Sequence, residues 1–104
     1  MPAELTAAQR RFLRSAARRR RCEVTVGKAG IGQNVLGHVR RLLTQRELVK
    51  VRLLESATPD RRSAASSLAE GAEAALVDLI GRVAVLYRPN PRLPDGKRLQ
   101  LPGR

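Results

Sequence analysis

The residues best suited to chemistry fall in one run, Val24-Thr25-Val26-Gly27-Lys28-Ala29-Gly30-Ile31-Gly32-Gln33. Gly27, Gly30 and Gly32 let the backbone turn tightly and leave its N–H groups uncovered by side chains. Lys28 sets a cation among them, and a helix beginning near Gln33 would aim its positive end at the same loop. Uncovered amides, a lysine and a helix N-terminus suit a phosphate group. The glycine order is G-x-x-G-x-G, which differs from the dinucleotide-binding G-x-G-x-x-G. No Lys-Ser or Lys-Thr pair completes a Walker A loop. The competing reading is a strand-to-helix turn that needs glycine for its geometry.

Other chemistries find little to work with. His38 is the single histidine and Cys22 the single cysteine. A CxxC zinc site and an internal disulfide are therefore excluded, and no nucleophile–base or carboxylate pair has a defined spacing. Cys22 opens a predicted strand and reads as a small buried thiol. His38 reads as a surface or boundary residue on a helix flank. No catalytic residue, metal or cofactor is expected.

Charge gives the loop its context. Lys and Arg number 21 against nine acids, for a formal net charge of +12, and residues 1–52 hold 13 of the cations with three of the acids. A domain this basic ordinarily meets a polyanion, most often nucleic acid. Loops of the GxxG type clamp a nucleic-acid backbone in KH domains, so phosphate contact becomes the favoured reading of Gly27, Lys28, Ala29 and Gly30. Aromatic residues make up 2% of the chain, which argues against reading several single-stranded bases by stacking. No apolar run reaches the roughly 18 residues of a membrane span, and the N-terminus lacks a hydrophobic signal segment. The expectation is a soluble, cytoplasmic, monomeric protein that makes no membrane contact.

The elements that must position the loop follow from periodicity. Thr6 and Gln9 form a capping box for a first helix. Leu5, Ala8, Phe12 and Ala16 share its apolar stripe, with Leu13 at the edge, and Arg10, Arg11, Arg14 and Arg18 fall on the other side. Arg18, Arg19, Arg20 and Arg21 close it; cations suit a helix C-terminus, but four in succession exceed what capping needs. Residues 22–26 form a first strand, and residues 33–44 a second helix with Val35, Leu36, Val39, Leu42 and Leu43 inward. Gly37 within that helix has no sequence-level explanation. Residues 47–54 alternate as a second strand, Val49, Val51 and Leu53 facing one way, Lys50 and Arg52 the other. Strand, helix, strand over this length predicts a parallel βαβ unit. Asp60 can cap a third helix over 61–73. Residues 76–80 fit helical and strand spacing alike; a short antiparallel pair with 83–87 is the reading adopted. Beyond Arg88 the composition changes to a basic, proline-punctuated tail that should bury little apolar surface and stay extended or mobile, either as a disordered end or as a basic arm that orders on nucleic acid. A domain over 1–88 and a tail over 89–104 result.

Four blocks then carry a resemblance: Leu5-Thr6-x-x-Gln9-Arg10; Val26-Gly27-Lys28-Ala29-Gly30-Ile31; Glu47-Leu48-Val49-Lys50-Val51; and Leu79-Ile80-Gly81-Arg82 with Val85-Leu86-Tyr87-Arg88-Pro89. In this order they resemble the YhbY-like CRM domain (chloroplast RNA splicing and ribosome maturation). The resemblance implies an α/β domain of α-β-α-β-α-β-β order with a four-stranded mixed sheet, similar to the C-terminal domain of translation initiation factor three. It favours a strand at 76–80. It implies a non-enzymatic RNA-binding protein that acts on ribosomal RNA in precursors of the large subunit, with ribosomal proteins as further partners. A general nucleic-acid chaperone or a basic protein-interaction module on the ribosome is the alternative. The residues expected to contact RNA are Gly27, Lys28, Ala29 and Gly30 of the loop, with Arg10, Arg14, Arg18, Arg19, Arg20, Arg21, Lys50 and Arg52 around it. Two features depart from the family pattern: a longer link at Glu73-Ala74-Ala75 and the density of arginines at 18–21. The tail lies outside the resemblance.

Overall fold

The computed structural model describes residues 4–27, 30–55 and 60–103. Three helices and four strands follow in the order α1 (Ala7–Ala17), β1 (Cys22–Val26), α2 (Gln33–Arg46), β2 (Leu48–Leu53), α3 (Arg61–Gly71), β3 (Ala75–Ile80) and β4 (Val83–Tyr87). The sheet order is β1-β2-β4-β3. β1 pairs parallel with β2, and the other two pairings are antiparallel. The mixed four-stranded α/β fold expected from the sequence is the fold observed.

Alternation divides the core in two. Val24, Val26, Val49, Val51, Leu53, Ala84 and Leu86 pack under α2 and α3, against Leu36, Val39, Leu43, Ala65 and Leu68. On the opposite face Leu48, Val77, Val85 and Tyr87 pack under α1, together with Leu101 from the C-terminal segment. The inward residues of α2 match the predicted stripe. Gly71 explains how closely α2 and α3 approach: a Cβ there would lie 2.9 Å from a methyl of Leu36. Around Gly37 a Cβ would meet only an Arg41 guanidinium nitrogen at 3.6 Å, so close packing does not explain that glycine.

The capping box of α1 forms as read: the Thr6 hydroxyl accepts from the Gln9 N–H at 3.1 Å, and the Gln9 carbonyl oxygen accepts from the Thr6 N–H at 3.0 Å. The buried stripe differs. Leu13 and Ala17 sit at its centre with Gln9, flanked by Leu5, Phe12 and Ala16, while Ala8 is exposed. Gln9 can face inward because its amide is bonded at both ends, its Nε2 donating to the Pro102 carbonyl at 3.2 Å. Burial of polar groups is tolerated when they are paired. With Leu13 inward, Arg11, Arg14 and Arg18 share one flank of the helix at i, i+3, i+7 spacing.

Two further differences concern element ends. Glu47, expected to open β2, instead ends α2 in the left-handed region (φ 63°) with its side chain fully buried. That conformation costs a non-glycine residue about 1–2 kcal/mol, and four hydrogen bonds hold it. Its backbone carbonyl accepts from Arg88 N–H at 2.9 Å; its carboxylate accepts from the N–H groups of Asn90 (2.5 Å) and Leu99 (2.8 Å) and from Arg98 Nε (3.3 Å). The segment after β4, read as burying little, is thus held against the domain, with Leu101 only 5% exposed. Helix α3 stops at Gly71, earlier than expected. The Glu73 N–H donates to the Glu70 carbonyl and the Ala74 N–H to that of Ala69. This is a Schellman turn with Glu73 at φ 55°, and it occupies the longer link before β3.

Candidate nucleic-acid interface

The glycine loop leaves the sheet at the C-terminal end of β1. The Gly30 N–H donates to the Gly27 carbonyl at 2.9 Å, closing a turn, and Gly30 adopts φ +71°. Glycine at 30 is therefore required by the backbone. Gly27 is different: its φ is not positive, and a Cβ there would meet nothing within 4 Å. No internal packing demands glycine at that position. Lys28 and Ala29 lie outside the described residues. Helix α2 then starts after Gly32, whose N-cap position supplies no side-chain hydrogen bond, and its first turn carries no acid. Among the described residues no side chain accepts from its leading N–H groups.

Strand registry shows what lies beside the loop. Thr25 pairs with Arg52, Arg52 with Val83, and Val83 with Ile80. Cross-strand partners share a face, so these four form one row across the sheet on the α1 side. Thr25, Arg52 and Ile80 are exposed. Arg18 and Arg14 reach the same region, because a cleft of about 540 Å³ is lined by Arg11, Arg14, Ser15, Arg18, Asp78 and Ile80. Arg82 Nε, bonded to the Leu53 carbonyl at 2.7 Å, and Arg61, bonded to the Gly81 carbonyl at 2.9 Å, brace this end of the sheet.

The residues nominated from the sequence separate into three groups. Gly27, Gly30, Arg14, Arg18 and Arg52 lie at this end, the glycines at the β1 edge of the sheet, Arg52 on β2, and Arg14 and Arg18 at the β3 edge. Arg10, Arg20 and Lys50 hold the fold. Arg10 donates to the Leu76 and Val77 carbonyls at 2.8 and 3.0 Å, covering the outer edge of β3. Arg20 donates to the Leu48 carbonyl at 2.9 Å, and Lys50 to the Arg20 carbonyl at 3.0 Å. Burial, and then the charge of Arg46, lower the pKa of Arg20, with Glu47 opposing. The expectation that Arg10 points away from the core is corrected, since it lies beside the β3 edge. Arg19 and Arg21 are exposed, and their side chains make no hydrogen bond or ion pair with another described residue. Arg21 lies at the opposite end of β1 from the loop. There it lines an open cleft of about 770 Å³ with Arg20, Glu23, Gln45, Arg46 and Lys97; Arg46 pairs with Glu23.

Cys22 is only partly buried, with an Arg52 nitrogen 4.0 Å from its sulfur, so the buried-thiol reading does not hold. His38 is exposed. Among the described residues no cluster of three or more His, Cys, Asp or Glu side chains could hold a metal ion, and no helix is long and apolar enough to cross a membrane. Arg11, Asp78 and Ile80 were not among the nominated residues. For Arg11 the signal was present, since the helical spacing already put it on the same side of α1 as Arg14 and Arg18.

The model of the CRS1/YhbY (CRM) domain matches residues 5–88. The chain is 36% identical over 98 residues to a Bacillus subtilis protein named "Probable RNA-binding protein YqeI", covering 94% of this chain and 99% of the relative. It is 32% identical to "Probable RNA-binding protein PA4753" of Pseudomonas aeruginosa, with 85% of each chain covered. Among solved structures, that of SAV1595 from Staphylococcus aureus superimposes with a TM-score of 0.76 at 34% identity, over 95% of this chain and all of that one. With the element order and the matched residues in agreement, this chain belongs to the CRS1/YhbY (CRM) domain family.

Proposed function

We propose that this protein binds RNA without catalysing a reaction on it. The RNA in this reading is ribosomal RNA in precursors of the large subunit, met in the cytoplasm, with ribosomal proteins nearby. Relatives along nearly the whole chain bear the name of RNA-binding proteins. The observation that carries the proposal is the placement along one end of the sheet of the Gly27–Gly30 hydrogen bond, the start of α2 after Gly32, which has no side-chain cap, and the exposed Arg14, Arg18 and Arg52. A phosphate at the loop would accept from backbone N–H groups, and neighbouring phosphates would meet the arginines.

The test is a salt titration of binding to rRNA fragments, followed by fluorescence anisotropy. Four or five phosphate contacts give a slope of log K against log salt of about −3 to −4.5. Arg52→Ala should flatten it by about one unit, whereas a salt-independent affinity would sink the electrostatic mechanism. The general chaperone reading draws on the second cationic cleft at the opposite end of the sheet, which spreads charge away from the loop. It predicts equal affinity for structured rRNA and for duplex DNA of the same length.

A further inference from the structure

The cleft between α1 and the outer end of β3 contains a group that a phosphate site has no use for. Asp78 lies among Arg11, Arg14 and Arg18, where a carboxylate would repel a phosphate. Its Oδ1 accepts from the Leu79 N–H at 2.8 Å, fixing the side chain. Its Oδ2 lies 3.8 Å from an Arg14 nitrogen, too far for a hydrogen bond, and both side chains are partly exposed. An oriented acceptor therefore stands beside a guanidinium with donors to spare. Ile80, 53% exposed, provides an apolar wall to the same cleft.

A carboxylate next to a guanidinium complements a ligand edge with two adjacent donors followed by an acceptor. Among the RNA bases that edge belongs to guanine, through its N2 amine, N1–H and O6. Uracil offers one N–H between two carbonyls that the carboxylate would repel. Adenine and cytosine each put an acceptor directly beside their amine. A base can enter only if it is unpaired, because pairing occupies this edge.

We propose that the cleft lined by Arg14, Arg18, Asp78 and Ile80 is a pocket for a single unpaired guanine, Asp78 accepting from N1–H and N2–H, Arg14 donating to O6, and Ile80 and Arg18 flanking the ring. The proposal rests on the RNA-binding reading and refines it: within the cleft Arg14 and Arg18 meet a base, and phosphates meet the loop, Arg52 and whatever donors of these two arginines face out of the cleft. It also fits the scarcity of aromatics, since one base against an aliphatic side chain and a guanidinium needs no aromatic platform.

The experiment measures the affinity of the full chain for uridine-rich single-stranded RNA 12-mers with guanosine, inosine, adenosine or uridine at one central position. Guanosine should bind about tenfold tighter than inosine or uridine, and Asp78→Asn should remove most of that preference. Removing a negative charge should otherwise tighten binding to every oligomer. Equal affinities for the four RNAs, or an Asp78→Asn variant that tightens all of them alike, would overturn the guanine pocket while leaving RNA binding intact. Failure of all four to bind at low salt would overturn the RNA-binding reading itself. The inosine comparison alters only the RNA, so its result does not depend on how the variant folds.

Discussion

Replacing Gly27 by alanine separates the two explanations of the loop. A Cβ at that position meets nothing within 4 Å, and its φ is not positive. The substitution should leave unfolding free energy within about 0.5 kcal/mol of the parent, as for other unobstructed surface changes. Gly30→Ala serves as the contrast, because φ +71° makes it cost about 1–2 kcal/mol. If a phosphate approaches the bare backbone at Gly27, the added methyl group displaces it. The lost charge-assisted hydrogen bonds are worth about 1.5–3 kcal/mol, or roughly 10- to 100-fold in affinity. Urea denaturation gives the stability term, and anisotropy with labelled RNA gives the binding term. Gly27→Ala with unchanged stability and unchanged affinity would refute the reasoning, leaving the loop as a turn. A variant that loses both by equal free energies would show that its effect runs through folding.

Two predictions concern the scaffold. Glu47→Ala leaves the N–H groups of Asn90 and Leu99 and the Arg98 guanidinium without their buried acceptor; it should cost about 3–5 kcal/mol, read by urea denaturation, and expose residues 90–103 to limited proteolysis. Gly37→Ala places its methyl group against only the end of Arg41 and should stabilise the protein by about 0.5–1 kcal/mol, seen as a higher urea midpoint at constant slope.

The sheet and its two-sided core were legible because alternation in β2 and the 3.6-residue stripe in α2 each admit one reading. Helix α1 was harder. Alanines at 7, 8, 16 and 17 blur its stripe, and the residue that settles the rotation, Gln9, is polar and buried only because Thr6 and Pro102 bond its amide. Glu47 was harder still: the groups that make its burial tolerable arrive from residues 88–99, far along the chain. The glycine loop was visible as a motif, whereas its neighbours depended on strand registry. Ile80 looked like any strand residue until β4 placed it in a row with Val83 and Arg52.

Arginine is where composition says least about a binding surface. A guanidinium that meets a phosphate and one that covers a carbonyl are identical in sequence. Here Arg10 covers the edge of β3, Arg40 bonds the last carbonyl of α3 at Gly71, and Arg88 bonds Ala72, Arg40 and Thr44. These side chains satisfy helix ends and a strand edge that would otherwise be exposed. Their charge persists, so they still add to the long-range field that draws a polyanion in. Direct contact, in the function proposed above, would fall to arginines with exposed donors to spare. Along α1 this makes the division regular: Arg10 grips the β3 edge, while Arg11, Arg14 and Arg18 line the cleft beside it. The helix can dock on the sheet and present a cationic flank at once because those two sets of arginines leave it in different directions.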